Sequence, residues 1–134
     1  MSEEFPKNHL ESIWAPWRVE YFRAEHQSGI DFLTEAAHAT DDAAHLVVKR
    51  LGTAFLIMNK YPYSAGHLMA VPNRKVCKMA EITEEEVLDL WKLSIHAQRL
   101  LEKAVHAHGF NIGWNLGSAS GAGVDDHIHI HIVP

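Results

Sequence analysis

Residues 127 to 134 read His-Ile-His-Ile-His-Ile-Val-Pro, and the alternation limits what they can do. Side chains of an extended strand point to opposite faces at every second residue. His127, His129 and His131 would therefore share one face, and Ile128, Ile130 and Ile132 the other. One face carries chemistry and the other is core. Imidazoles on such a face stand about 6.5–7 Å apart at the backbone, close enough to share one phosphate group or to converge on one metal ion. An appended histidine tract would be uninterrupted, whereas this run alternates strictly with isoleucine.

Two chemistries suit such a row. Neutral imidazoles can converge on a divalent cation such as zinc, with a water in the remaining position. Alternatively, with no metal, one imidazole attacks a phosphorus atom while its neighbours and nearby amides hold the phosphate oxygens. The rest of the chain favours the second. Gly117-Ser118-Ala119-Ser120-Gly121-Ala122-Gly123 directly precedes the histidine strand. As a plain hairpin loop it needs no further explanation, but Gly121 and Gly123 would also let backbone amides approach an anion closely. Asn115 ends the preceding strand, and Asn59 and His67 flank a turn. From the residues alone the reading reaches phosphate chemistry using histidine.

The elements that must position this row follow from periodicity. Ala44 to Arg50, Thr53 to Met58 and Gly66 to Val71 carry the short apolar signature of strands, and Leu51-Gly52 and Tyr61-Pro62-Tyr63-Ser64-Ala65 separate them. That is the pattern of an antiparallel meander. Thr83 with Glu86 makes a capping box, and Glu84 and Glu85 suit the positive end of a helix dipole. Val87, Leu90, Trp91, Ser94, Ala97, Leu101 and Ala104 recur at helical spacing, with Gly109 as the expected stop. Phe110 to Leu116 reads as a further strand. His96, His106 and His108 fall on the helix or at its end, where solvated or capping roles are expected. The aromatic cluster Trp14-Ala15-Pro16-Trp17-Arg18, with Tyr21 and Phe22, suits a core cover or a dimer contact.

With 134 residues and 47% hydrophobic content, a single domain is expected over 1–134, with an irregular or helical segment at 1–43 and a sheet-and-helix core at 44–134. The net charge of -5, without a lysine or arginine block, argues against a duplex-binding surface and for a small-molecule partner rather than nucleic acid. Eleven histidines make the net charge strongly dependent on pH through the imidazole range. Cys77 has no second thiol to pair with and is expected to be buried and inert. The N-terminus lacks a basic-then-apolar secretory pattern, and no apolar run reaches the roughly 20 residues a bilayer requires. A cytoplasmic protein with no membrane partner is expected.

Gly-Ala-Gly-Val-Asp-Asp-His-Ile-His-Ile-His-Ile-Val-Pro (121 to 134) resembles the signature of the histidine triad superfamily. The resemblance extends through Phe110-Asn111-Ile112-Gly113-Trp114-Asn115-Leu116-Gly117 and through Met58 to His67. With Trp14-Ala15-Pro16-Trp17-Arg18 it is similar to the bacterial branch related to fragile histidine triad hydrolases and diadenosine tetraphosphate phosphorylases. It covers most of the chain, and the triad is its most specific part.

The resemblance implies an α+β fold, a five-stranded antiparallel sheet with one long helix packed on it, and a homodimer whose sheets join. It also implies a nucleotidyl hydrolase or transferase acting on a nucleoside phosphate substituted at its α-phosphorus, such as a dinucleoside polyphosphate. His129 would be the nucleophile, with His127 and His131 orienting it and the phosphate. Asn115 matches a phosphate contact, Asn59 a ribose contact and His67 a support of the triad, while Ile30 and Phe32 match the surroundings of the base. Many relatives carry a Cys-X-X-Cys pair that helps to bind zinc, but here the stretch reads Ile30-Asp31-Phe32-Leu33, so structural zinc is not expected, and the reading calls for no cofactor. Relatives of this branch continue past the triad with a tail that closes the site. Here the triad ends the sequence at Pro134, which would leave its strand less protected. A metal-dependent hydrolase and a nucleotide-binding module with weak catalysis are the competing readings.

Overall fold

The structure is a computed structural model that describes residues 31–60, 65–117, 119 and 127–134. The aromatic cluster at 14–22, Ile30, Tyr61 to Ser64, Gly121 and Gly123 lie outside the described residues. In chain order the elements are α1 (Phe32–His38), β1 (Val47–Leu51), β2 (Ala54–Met58), β3 (Leu68–Pro72), a single 3₁₀ turn (Met79–Glu81), α2 (Glu84–Val105), β4 (Asn111–Trp114) and β5 (Ile130–Val133). The strands form a five-stranded antiparallel sheet in the order β1-β2-β3-β5-β4, with α2 packed on it. The α+β architecture expected from the resemblance is therefore the one observed.

The meander of β1, β2 and β3 turns first through Gly52 and Thr53. Gly52 has φ +53°, and a Cβ placed there would lie 2.6 Å from Asp89 Oδ2. The same carboxylate accepts hydrogen bonds from the backbone and the hydroxyl of Thr53, at 2.9 and 2.7 Å, and so ties the turn to α2. Apolar residues fill β2 and β3 without alternation because both faces of these strands are covered. On one face Ala54, Leu56, Leu68, Ala70, Ile130 and Ile132 meet Leu90, Leu93, Ala97 and Leu101 of α2. On the other, Phe55, Ile57, Met69 and Val71 meet Leu33 and Ala36 of α1.

The start of α2 follows the expected capping box. Thr83 Oγ1 accepts from the Glu86 amide at 3.2 Å, and Glu86 Oε1 accepts from the Thr83 amide at 2.9 Å. Arg74 donates to the same Glu86 oxygen at 2.8 Å. The stop differs: α2 ends at Val105, where His106 takes the left-handed conformation (φ 53°), before Gly109 is reached. The buried stripe is also rotated from the expected one. Val87 and Trp91 are exposed, as is Ala104, while Glu86 and Leu93 are buried. Cys77 is exposed rather than buried, because Val76 points inward and its carbonyl accepts from the Ile128 amide. Among the described residues no helix is long and apolar enough to cross a membrane.

Candidate active site

β5 begins at Ile130, so of the three histidines only His131 lies within the ladder, and His127 and His129 lead into it. The two-faced pattern survives. Ile130 and Ile132 enter the core beneath α2, whereas His131 stands opposite Met69 and Gly113 on the face that α1 covers. β5 is inserted between β3 and β4, and all three histidines are buried, so the triad is not the poorly protected terminal strand that the sequence suggested.

His129 is held by the segment that leads into β5. Its Nδ1–H donates to the His127 carbonyl at 2.8 Å. A carbonyl can only accept, so Nδ1 carries the hydrogen and, in the neutral ring, Nε2 keeps the lone pair. The His131 ring stands edge-on to it, with 4.6 Å between centroids.

His131 in turn belongs to a row of four polar side chains. Its Nδ1 lies 2.8 Å from His67 Nε2, its Nε2 lies 3.4 Å from Asn115 Nδ2, and Asn59 Nδ2 lies 3.3 Å from His67 Nδ1. When both rings are neutral, the contact between them holds a single hydrogen. One terminal asparagine must then donate through its nitrogen and the other accept through its oxygen, since an amide can present either by a half-turn. Asn59, His67 and Asn115, assigned separately from sequence, are thus brought together with His131. Phe32 sits half-buried in the first turn of α1 against the apolar cluster of that face.

His127 takes a different place from the one expected. Its ring is 0% exposed, with Nδ1 2.9 Å from Asp31 Oδ2 and Nε2 2.9 Å from the Pro72 carbonyl. Both ring nitrogens are engaged, so the ring is closed to a phosphate. His127 orients His129 through its backbone carbonyl instead. Asp31, notable in the sequence only as part of a stretch without thiols, also caps α1 by accepting from the Leu33 amide at 2.8 Å. Burial would raise its pKa, but hydrogen bonds from His127, Thr34 and Leu33 and the attraction of His127 outweigh that and hold the carboxyl below its usual range. An aspartate placed to cap the helix that opens at Phe32 was the signal available in the sequence.

A metal does not fit this donor set. His127 spends its nitrogens on Asp31 and Pro72, and Leu33 of α1 is fully buried in an apolar cluster against β2 and β3. Among the described residues no group of three or more His, Cys, Asp or Glu side chains is placed to hold a metal ion.

Comparison with known proteins shows the family and the fold. The chain is 32% identical over 136 residues to the AP-4-A phosphorylase of Mycobacterium tuberculosis, an alignment that covers 96% of this chain and 69% of that protein. It is 34% identical over 85 residues to the asymmetrical bis(5'-nucleosyl)-tetraphosphatase of Schizosaccharomyces pombe, covering 63% of this chain and 45% of the yeast protein. The crystal structure of the Caenorhabditis elegans NitFhit protein superposes with a TM-score of 0.61 at 28% identity, over 66% of this chain and 21% of that one. The HIT domain model matches residues 40–134, the stretch that carries the sheet, α2 and the histidine row, and the chain belongs to the HIT family.

Proposed function

We propose that the chain is a nucleotidyl hydrolase or transferase, acting as one domain, that cleaves at the α-phosphorus of a nucleoside phosphate derivative such as a dinucleoside polyphosphate. The observation that carries this reading is the 2.8 Å hydrogen bond from His129 Nδ1–H to the His127 carbonyl, which leaves Nε2 as the nucleophilic nitrogen. Nε2 attacks the α-phosphorus, and the bond from phosphorus to the leaving oxygen breaks as that oxygen takes a proton. Water or inorganic phosphate then displaces His129 from the covalent nucleotidyl-histidine. Asn115 contacts the phosphate and His131 orients it and His129, with Gly121 and Gly123 supplying amides. Asn59 and His67 serve the ribose side and the support of His131, and Ile30 and Phe32 border the base. The named relatives, a phosphorylase and a tetraphosphatase, support this class of substrate.

Homodimerisation through β4 belongs to the same proposal. β4 ends the strand order of the sheet, and Ile112 on it is 46% exposed. A cytoplasmic location is supported by the single cysteine and the lack of long apolar runs.

The test is to mix the protein with diadenosine tetraphosphate or an adenosine phosphoramidate, quench in base, and measure intact mass. A nucleotidyl adduct should form and should be lost in His129→Gly. An adduct that persists in that variant, or maps to another histidine, refutes the assignment. Nucleotide binding with no turnover would favour a binding module.

A further inference from the structure

Asp31 and His127 are 96 positions apart in sequence, yet their side chains meet at 2.9 Å inside the protein. The geometry around them fixes the protons. The Pro72 carbonyl can only accept, so His127 Nε2 carries a hydrogen. On the other side Asp31 Oδ2 already accepts from the Thr34 hydroxyl at 2.8 Å, while Oδ1 accepts from the Leu33 amide at 2.8 Å. Such a carboxylate is an acceptor towards His127, so Nδ1 carries a hydrogen as well, with Thr34 Oγ1 a further 3.3 Å neighbour. The His127 ring is therefore enclosed and held at both nitrogens, between the N-terminus of α1 and the end of β3. Its carbonyl is the acceptor that sets His129.

We propose that Asp31 is a positioning residue for nucleotidyl transfer: by clamping the His127 ring it fixes the carbonyl that selects the tautomer and direction of His129. This inference rests on His129 being the nucleophile. Asp31 is buried, and its carboxylate is taken up by Leu33, Thr34 and His127. It acts through one side chain and one peptide group, so its loss leaves the nucleotide contacts in place and lets the His129 ring turn. A displacement of about 1 Å at a reacting atom costs on the order of 10²-fold in rate.

Asp31 also caps α1, so the decisive variant is Asp31→Ser, which keeps a capping oxygen but is too short to hold the His127 ring. The measurements are the imidazole ¹⁵N shifts of His129, the single-turnover rate of adduct formation, and nucleotide affinity. Asp31→Ser should turn the single Nδ1–H form of His129 into a tautomer mixture and slow adduct formation about 10²-fold, with affinity little changed. Asp31→Asn, whose amide oxygen still accepts from Nδ1–H, should recover the tautomer and most of the rate. A folded Asp31→Ser protein with the original tautomer and rate would overturn the proposal and leave Asp31 a helix cap. If Asp31→Ser does not fold, Thr34→Val tests the same clamp with the cap intact. It must shift both readouts in the same direction, and no shift overturns the proposal. The tautomer is read without turnover, so absence of any adduct in the unmodified protein would sink the nucleophile assignment separately from the clamp.

Discussion

Replacing His67 with leucine removes a buried partner of similar bulk from the row that backs His131. The side chain is 2% exposed, and its Nε2 lies 2.8 Å from His131 Nδ1, so the variant leaves that nitrogen facing a hydrocarbon in a region with little access to water. Losing one member of a buried hydrogen-bonded pair costs about 1–3 kcal/mol. For a domain of this size each kcal/mol lowers the melting temperature by about 4 °C, so a fall of about 4–12 °C is expected. The functional cost has a different origin. His131 stands edge-on to His129 with 4.6 Å between ring centroids, and a ring no longer fixed through Nδ1 cannot hold Asn115, 3.4 Å from its other nitrogen, in place as the proposed phosphate donor. Loss of one such donor typically lowers turnover by about 10²–10³-fold. His67→Gln separates the two effects, because its amide can still meet His131 Nδ1 and should restore most of the rate. Differential scanning calorimetry and single-turnover kinetics on the unmodified protein and both variants make the comparison. A leucine variant with unchanged rate would refute the reasoning, and so would a glutamine variant as slow as leucine, since the hydrogen bond would then not be what matters.

Gly52→Ala should destabilise the fold by about 1–3 kcal/mol, because it forces a left-handed residue and drives a methyl group into Asp89 at 2.6 Å. Denaturant titration measures this, and an unchanged midpoint would show that the turn can rearrange freely. In acid, Glu86 should contribute to unfolding. Burial raises its pKa, but Arg74 and the Thr83 amide and hydroxyl outweigh burial and hold the folded value below the ordinary 4.5. Its stabilising effect is therefore complete above that value and is lost as pH falls through the lower, folded one. Melting temperatures between neutral pH and about pH 3 should fall more steeply for the unmodified protein than for Glu86→Gln, and parallel curves would contradict this.

What the sequence disclosed, and what it withheld, divides by range. The capping box at Thr83 and Glu86 acts over three residues and is found where its pattern places it. The meander needs only short apolar runs and a glycine turn, and the isoleucine and histidine faces of the triad need only the period of a strand. Asp31 escaped because its chemistry depends on a partner 96 positions away, which no local period can show. The rotation of α2 escaped for a related reason. Val87 and Trp91 fit a helical stripe as well as Leu93 does, and only the sheet beneath decides which of them is covered. The row from Asn59 to Asn115 was present in sequence as separate residues, and folding β3, β4 and β5 side by side joins them.

The place of β5 in the sheet sets the dynamics of the chemistry. A central strand paired on both edges can expose its amides only when its neighbours part, so it belongs to the last unit of a domain to open. His131 is built into that unit, and His129 is tied by its ring to the segment that leads into it. Opposite Met69 and Gly113, His131 keeps its place for as long as β3 and β4 stay paired to β5.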